Sequence, residues 1–333
     1  MKAVFFTEGG KKYGLGHLTR CIALAQAFTE KRLTSTFIVC ADPSVRDLLL
    51  PYQTQYLDWT KNFQGINEFI HGQDIAVIDA YSADFTIYQQ IQHAAKTSIY
   101  FDDYNRISYP AGIVINGSPA ALSIPYPPVK KICYLLGPLY QPLRKSFWSL
   151  RSKQTQPAVK NLFLSCGGSD SHHLTPRLIK FLARHYPAIQ IIAVISKSFR
   201  HPRTNQPSIN DQVQYLFAPA EERLSQAMQN CDLAITAAGQ TLYELAASGL
   251  PPIVIGEVEN QDNNINSWLN TGFIEFAGWW NDKNLMTSLK RMMYNLIADP
   301  GLRDKKSRIG QQEIDGQGSN RIVEKALEYV RKN

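Results

Sequence analysis

A glycine-rich loop between an apolar run and an amphipathic segment is the feature that most constrains how this chain folds. Residues 3–7 have the length and composition of a buried strand. Glycines recur between residues 9 and 16, and apolar residues then follow at helical spacing over 22–28. The pattern predicts a strand, a turn and a helix that begins near Gly16 or His17. Because a helix N-terminus presents free amides and a positive dipole end, we expect this turn to bind an anion.

Two side chains of this segment are candidates for chemistry. His17 falls in the first turn of the predicted helix, and Arg20 lies one turn further on. Imidazole changes charge near neutral pH and a helix N-terminus disfavours the protonated ring, so His17 is a candidate base. The alternative is that His17 only hydrogen-bonds the loop. Residues 9–16 lack both the dinucleotide-binding fingerprint and the Gly-Lys-Ser/Thr of a P-loop, which argues against those two kinds of nucleotide site.

The composition narrows the class of protein. The chain has 333 residues, enough for two domains, and its 44% hydrophobic and 19% charged residues are typical of globular proteins. The net charge of +7 favours phosphorylated ligands, whereas the dispersed Lys and Arg argue against nucleic acid as a partner. Five cysteines occur without a Cys-x-x-Cys pair, and neither a signal peptide nor a membrane-length apolar run is evident. We therefore expect a cytoplasmic protein without a membrane span.

Strands alternate with helices along both halves, which predicts a parallel α/β sheet in each. The predicted strands of the first half cover residues 3–7, 35–39, 74–79, 98–101 and 112–115, and those of the second half cover 160–165, 189–195, 212–217, 233–236 and 252–255. The later predicted helices cover residues 84–95, 175–184, 220–229, 240–248, 283–297 and 320–331. The chain between residues 119 and 142 is rich in proline and has few helical signals, which indicates a domain boundary nearby. We therefore expect domains that cover residues 1–145 and 146–333. Packing of the last helix back on the first domain is left open.

Several polar residues follow strands of the first half. In parallel sheets, ligands bind at the carboxyl ends of the strands, where residues 7–17, 79–81 and the pair Asp102 and Asp103 are expected to meet. Asp79 is expected to orient loop amides or His17 rather than to act as a nucleophile. Asp102 and Asp103 fit ordinary turn chemistry better than a Mg²⁺–diphosphate site.

The most specific pattern of the second half covers residues 237–251. It reads as a strand end, a turn and a helix, with Thr241 at the helix start and Glu244 one turn in. Amides at such a turn can bind a diphosphate, and Glu244 can accept hydrogen bonds from vicinal ribose hydroxyls. The alternative is that Glu244 only favours the helix dipole. A second amide-rich loop, residues 259–263, follows the next strand.

These segments together resemble the UDP-sugar hydrolases of pseudaminic acid biosynthesis, which belong to the GT-B superfamily. The resemblance spans nearly the whole chain and rests on residues 14–25, 77–81, 134–138, 165–170, 238–244 and 259–261. It implies an α/β protein of GT-B fold, with two doubly wound Rossmann-like domains that face each other across a cleft. The first domain would be the sugar and catalytic side, and the second the UDP-binding side.

The resemblance also implies a reaction, namely hydrolysis of UDP-2,4-diacetamido-2,4,6-trideoxy-β-L-altrose to the free sugar and UDP, without metal or cofactor. His17 would activate the attacking water, and Tyr81 would assist at the sugar or the leaving group. The expected substrate-binding residues are Gly14, Gly16, Arg20, Asp79, Gly168, Ser169, Gly239, Gln240, Thr241, Glu244, Asn260 and Gln261.

Two other functions remain open at this point: a GT-B glycosyltransferase that uses a UDP-sugar donor, and a non-catalytic UDP-sugar-binding protein. The identity of the sugar and nucleotide, the anomeric stereochemistry and the oligomeric state are also open. His172 and His173 are expected to be solvated or helix-start residues, because their spacing is not that of a zinc site.

Overall fold

The computed structural model describes residues 1–61, 65–168, 170–196 and 211–332, and the side chain of Asn260 is also outside this description. The chain divides into two compact units. The first comprises Met1–Lys145 with Gly316–Asn333, and the second comprises Ser146–Asp315. The sequence predicts domains of 1–145 and 146–333 and leaves open whether the last helix packs back on the first domain.

The first unit contains a parallel sheet with helices between its strands. Its strands are β1 (Lys2–Gly9), β2 (Thr34–Ala41), β3 (Gln53–Tyr56), β4 (Ile75–Asp79), β5 (Thr97–Phe101), β6 (Gly112–Asn116) and β7 (Ile132–Leu136). The helices between them are α1 (Gly16–Glu30), α2 (Arg46–Leu49), α3 (Asn67–Ile70) and α4 (Phe85–Ala94). The strand order is β3-β2-β1-β4-β5-β6-β7, with neighbouring strands parallel.

The second unit repeats this design. Its strands are β8 (Asn161–Ser165), β9 (Gln190–Ile195), β10 (Val213–Phe217), β11 (Leu233–Ala237), β12 (Pro252–Gly256) and β13 (Glu275–Trp279). Its helices are α5 (Leu174–His185), α6 (Glu221–Asn230), α7 (Thr241–Ala247), α8 (Asp262–Thr271), α9 (Leu285–Ala298) and α10 (Pro300–Glu313), and α11 (Gly318–Lys332) then returns to the first unit. The strand order is β10-β9-β8-β11-β12-β13, again parallel. The prediction of a parallel α/β sheet in each half is confirmed.

The middle strands of both sheets are buried because helices cover both faces of a doubly wound sheet. All five residues of β4, β11 and β12 are buried, and in β1 only Lys2 is exposed. The strand order reverses between β1 and β4 and between β8 and β11. Such a reversal opens a crevice at the carboxyl ends of the two strands, which is where ligands bind in open α/β sheets.

Helix α11 is held in the first unit by close backbone packing at its start. A Cβ atom on Gly318 would lie 2.0 Å from the carbonyl oxygen of Gln141, so only glycine fits there. The Ser319 hydroxyl donates to the Leu143 carbonyl oxygen at 2.9 Å. Ile322, Val323 and Ala326 form the buried apolar stripe of the helix.

Some elements were not predicted. Strand β3 is a short, polar edge strand without an apolar run. Strand β7 directly follows a proline-rich segment, and the prolines argued against regular structure there. Helix α10 has a largely polar sequence, so its periodicity is weak. Within the described ranges, no helix combines the length and the apolar character that crossing a bilayer requires.

Candidate active site

A histidine–aspartate pair lies at the carboxyl ends of β1 and β4. His17 is the second residue of α1 and is only 8% exposed. Asp79 is the last residue of β4 and pairs in register with Thr7 of β1. The Nδ1 atom of His17 lies 2.6 Å from the Oδ1 atom of Asp79. The sheet order therefore brings together the loop after β1 and the end of β4, as expected from the sequence.

Arg20 connects this pair to a second carboxylate. Its Nε and Nη2 atoms donate to Oδ2 and Oδ1 of Asp79 at 2.5 and 2.7 Å. Its Nη1 and Nη2 atoms donate to Oδ1 and Oδ2 of Asp103 at 2.7 and 3.0 Å. The guanidinium also lies over the ring of Phe101, 5.1 Å from its centroid. Arg20 therefore forms forked hydrogen bonds with two carboxylates at the ends of β4 and β5.

These contacts define the charge state of Asp79 and the tautomer of His17. Burial alone would raise the pKa of Asp79, but the charges of Arg20 and His17 and their hydrogen bonds hold it at about 2. Asp79 is therefore ionised and can only accept hydrogen bonds. Nδ1 of His17 therefore donates to Asp79, and when the ring is neutral its Nε2 atom keeps the lone pair that a base needs. Arg20 likewise holds the pKa of Asp103, whose side chain is partly exposed, below its usual value.

The sequence analysis missed a third carboxylate, Glu8. This residue of β1 is completely buried, and its Oε1 atom accepts a hydrogen bond from the Tyr81 amide at 2.8 Å. The Ser82 hydroxyl donates to Oε2, and Oε1 lies 3.9 Å from Nε2 of His17. The available signal was an acidic residue directly after a buried apolar run, at the end of the strand where ligands bind.

Tyr81 packs edge-on against the catalytic candidate. Its ring and the imidazole of His17 have centroids 4.5 Å apart and planes 86° apart. The Tyr81 hydroxyl donates to Asp103, while the residue as a whole is 37% exposed. Burial of the hydroxyl and the nearby charge of Asp103 raise the pKa of Tyr81 far above its usual value. The phenol is therefore a hydrogen-bond donor at every pH at which the protein is assayed.

Asp102 has a structural role and differs in this from its neighbour Asp103. It accepts hydrogen bonds from the Asn105 and Arg106 amides at 2.6 and 3.1 Å. The hydroxyls of Tyr109 and Tyr126 also donate to it, at 2.7 and 2.5 Å. The interpretation as turn chemistry fits Asp102, whereas Asp103 belongs to the Arg20 network.

The glycines of the first loop leave room for a ligand. Gly10 and Gly14 form a pair of backbone hydrogen bonds at 2.8 Å in both directions, and Gly14 has a φ of +74°. A Cβ atom placed on Gly14 or Gly16 would have no heavy atom of the described residues within 4 Å. Packing within the protein therefore does not require glycine at these two positions, and the space beside them is open to a ligand.

In the second unit, the structure brings the predicted loops to the ends of β8 and β11, where the strand order reverses. Gly167 has a φ of +71° and Gly168 follows it, whereas Ser169 lies outside the described residues. The Asp170 carboxylate accepts the amides of Leu174 and Thr175 at 2.7 and 3.1 Å and so caps the start of α5.

The loop after β11 leads directly into α7. Gly239 has open space where a Cβ would lie, Gln240 precedes the helix, and Thr241 is its first residue. Glu244 is one turn in and only 3% exposed. The sequence analysis missed Asn264, which donates to the Ala238 carbonyl at 2.9 Å and accepts from the Tyr243 hydroxyl at 2.8 Å. This side chain links α8 to the loop before α7.

The loop after β12 carries the last predicted residues. The Oε1 atom of Gln261 accepts the Glu257 amide at 2.9 Å, so this side chain stabilises the turn. The side chain of Asn260 lies outside the described residues, although its backbone belongs to the single turn Glu259–Gln261.

Among the described residues, one group could hold a metal ion: donor atoms of Cys166, Asp170 and Glu257 lie within 4.8 Å of one another. Two observations weigh against that use. Asp170 already caps α5, and burial together with the charge of Asp170 raises the pKa of Glu257 to about 8, which leaves it protonated at neutral pH. His172 lies flat on Trp280, with ring centroids 3.7 Å apart and planes 6° apart, which indicates a packing role.

Comparison with known proteins gives distant relatives, and no protein-family model matches the chain. The spore coat polysaccharide biosynthesis protein SpsG of Bacillus subtilis is 23% identical over 97% of both chains. A Helicobacter pylori protein, named pseudaminic acid cytidylyltransferase and UDP-2,4-diacetamido-2,4,6-trideoxy-beta-L-altropyranose hydrolase, is 26% identical over 74% of this chain and 43% of its own length. An uncharacterised protein of Methanocaldococcus jannaschii is 24% identical over 78% and 57%. The chain thus spans about half the length of the latter two relatives.

Solved structures with the same fold are more numerous but equally distant in sequence. MurG of Acinetobacter baumannii superimposes with a TM-score of 0.65 at 12% identity, covering 98% of this chain and 100% of that one. HepE of Anabaena, solved in complex with UDP-glucose, gives a TM-score of 0.58 at 14% identity, covering 98% and 99%. These likenesses and the two parallel sheets show a two-domain α/β protein of GT-B fold.

Proposed function

We propose that this chain, a GT-B protein with relatives in pseudaminic acid and spore coat polysaccharide biosynthesis, is a nucleotide-sugar hydrolase. The substrate is a UDP-linked diacetamido-trideoxy hexose of the kind named for the Helicobacter pylori relative, and the products are the free sugar and UDP. The observation that carries the proposal is the contact between His17 Nδ1 and the ionised Asp79, which leaves Nε2 as a base. Because all five cysteines are free thiols, we further propose a reducing, cytoplasmic compartment.

The chemical step is a single displacement at the anomeric carbon. Nε2 of His17 takes one proton from water, and the water oxygen forms a bond to the anomeric carbon. The bond between that carbon and the β-phosphate oxygen breaks, and UDP leaves with the bonding electron pair. A base of this kind contributes about a hundred- to ten-thousandfold in rate. One displacement inverts the anomeric configuration.

The neighbours of His17 support the base in defined ways. Asp79 fixes the ring orientation and the Nδ1–H tautomer, and its charge stabilises the imidazolium that forms. Arg20 holds Asp79 in place, because its Nε and Nη2 atoms donate hydrogen bonds to both carboxylate oxygens. Tyr81 lies against the ring and assists at the sugar or the leaving group in this proposal, where its hydroxyl oxygen can accept a hydrogen bond while its proton is donated to Asp103.

The second unit binds the UDP part in this proposal. Backbone amides of residues 239–241 take the diphosphate, and Glu244 accepts hydrogen bonds from the ribose hydroxyls. Asn260 and Gln261 complete the contacts to the nucleotide-sugar. Support comes from the open space at Gly239 and from HepE, a GT-B protein solved with UDP-glucose. No step in this scheme calls for a metal ion, since the base is an imidazole and amides stabilise the leaving diphosphate.

The test is release of UDP from a panel of UDP-linked deoxyamino sugars by the full chain, with the first-formed anomer followed by NMR. His17→Gln is expected to reduce the rate at least a hundredfold while leaving UDP affinity unchanged. His71→Ala is the matched control, because His71 is exposed and precedes β4 at the opposite end of that strand.

The other outcomes identify other functions. UDP release that requires an added acceptor alcohol would make the chain a glycosyltransferase. Tight binding of UDP without turnover of any UDP-sugar would make it a non-catalytic binding protein. Full activity of His17→Gln would refute the role of the imidazole in either reaction.

A further inference from the structure

We infer that Glu8 is a second positioning carboxylate of the His17 site, which stabilises the protonated imidazole and fixes the Tyr81 loop through one side chain. The inference rests on the proposed function and deepens it. It concerns a residue that lies on the strand before the glycine loop, on the other side of the imidazole from Asp79.

The first argument is the placement of His17 between two carboxylates. Asp79 contacts Nδ1 at 2.6 Å, and Glu8 Oε1 lies 3.9 Å from Nε2, the atom that receives the proton. Beside a neutral ring, Glu8 gains little from this proximity. After proton transfer the ring is a cation beside a buried anion, and the attraction is strong because water does not screen it. Glu8 therefore favours the state in which the water has been deprotonated.

The second argument is that Glu8 also holds the chain at Tyr81. Its Oε1 atom accepts the Tyr81 amide at 2.8 Å, and its Oε2 atom accepts the Ser82 hydroxyl. Both oxygens are thus used, and the side chain is completely buried. Since the Tyr81 ring packs edge-on against His17, one carboxylate sets the relative position of both side chains.

Other ionisable groups around His17 do not replace Glu8 near Nε2. The groups that face the ring or its direct partners are Glu8 from β1, Arg20 and Cys21 from α1, Asp79 from β4, Tyr81 from the loop after β4 and Asp103 from the loop after β5. Asp79 and Asp103 share the charge of Arg20. Among the residues that the structure describes, the basic side chain within ion-pair distance of Glu8 is His17.

The experiment separates the charge of Glu8 from its hydrogen bonds. Glu8→Gln keeps an oxygen that can accept the Tyr81 amide but removes the charge. Protonation of His17 is then harder, so the acid limb of the pH–rate profile is expected to move to lower pH by about one unit or more. The maximal rate is expected to fall about tenfold, because a weaker base drives proton transfer less well. Glu8→Asp retains a charge and is expected to restore the acid limb to within about half a unit.

The controls are a distant charge and a local hydrogen bond. Glu68→Gln removes one negative charge from the exposed face of α3, and Ser82→Ala removes one donor to Glu8 without altering its charge. Neither is expected to move the acid limb. An unshifted limb in Glu8→Gln, or an equal shift in Glu68→Gln, would overturn the inference.

A readout without turnover keeps this test apart from that of the proposed function. The Cε1–H NMR signal of His17, assigned by its loss in His17→Gln, is titrated in the unmodified chain and in Glu8→Gln. The midpoint is expected to fall in the variant whether or not any UDP-sugar is hydrolysed. If Glu8→Gln does not fold, the Tyr81 amide signal of the unmodified chain decides, because it must move with the His17 titration through their shared carboxylate. An amide signal that is constant across that titration would overturn the inference.

Discussion

Arg20 and Asp79 form a two-point ion pair, with Nε 2.5 Å from Oδ2 and Nη2 2.7 Å from Oδ1. Asp79 is buried and the Arg20 side chain is 13% exposed, and Nη1 and Nη2 of Arg20 also donate to Asp103. Only a planar guanidinium can serve both carboxylates in this way. The pair therefore connects the stability of the first unit to the orientation of His17.

Arg20→Lys is expected to lower both stability and activity. An ammonium group cannot form a two-point contact with both carboxylates, so Asp79 or the partly exposed Asp103 loses a partner. Loss of the partner at the buried Asp79 costs about 3 kcal/mol. Urea denaturation measures the free energy of unfolding, and UDP release measures activity. Arg46→Lys, on the exposed α2, is the control and is expected to change stability by less than about 0.5 kcal/mol. Equal stability of the two variants would contradict the assigned role of Arg20.

Asp79→Asn is expected to reduce the rate of UDP release about a hundredfold or more. The amide can donate a hydrogen bond to His17, which favours the tautomer with the proton on Nε2 and removes the base. UDP affinity, measured by calorimetry, is expected to be unchanged. Asp74→Asn is the matched control, because Asp74 precedes β4 at its other end and contacts Lys96. If Asp79→Asn released UDP as fast as Asp74→Asn, Asp79 would be excluded from the mechanism.

Glu257→Gln is expected to make the protein more resistant to alkaline pH. Burial raises the pKa of Glu257 from its ordinary 4.5 to about 8, so its contribution to stability is complete below pH 4.5 and is lost as the pH rises through 8. The loss amounts to about 5 kcal/mol at most. Urea denaturation at pH 4.5 and pH 9 measures the free energy of unfolding at each pH. Between these two values it is expected to decrease less for the variant than for the unmodified chain. Glu259→Gln, an exposed neighbour, should behave like the unmodified chain.

Gly239→Ala is expected to impair UDP binding without affecting the fold. The added methyl group meets no heavy atom of the described residues within 4 Å, so the free energy of unfolding should change by less than about 0.5 kcal/mol. If the diphosphate approaches this backbone, UDP affinity falls at least tenfold. Gly310→Ala gives the opposite result, since its methyl would lie 2.6 Å from the Phe273 ring and cost about 1–3 kcal/mol. Unchanged UDP affinity in Gly239→Ala would remove the loop from the nucleotide site.

Sequence patterns predicted the parallel sheets because buried strands carry apolar runs and the glycine turns mark the strand ends. The contact between His17 and Asp79 was predictable for the same reason, since adjacent strands of a parallel sheet end at one edge. The bridge from Arg20 to Asp103 depends on a side-chain conformation and could not be derived from spacing. The raised pKa of Glu257 depends on burial and on the charge of Asp170, which lies in a different loop, and a linear pattern does not show either.

Helix α11 has a consequence for the order in which the chain matures. Because residues 316–333 belong to the first unit, that unit needs residues synthesised after the whole of Ser146–Asp315. During translation the second unit can complete its structure on the ribosome, while the first must wait for its final helix. A nascent chain arrested before residue 316 should therefore leave the first unit open to proteases and chaperones and the second one protected.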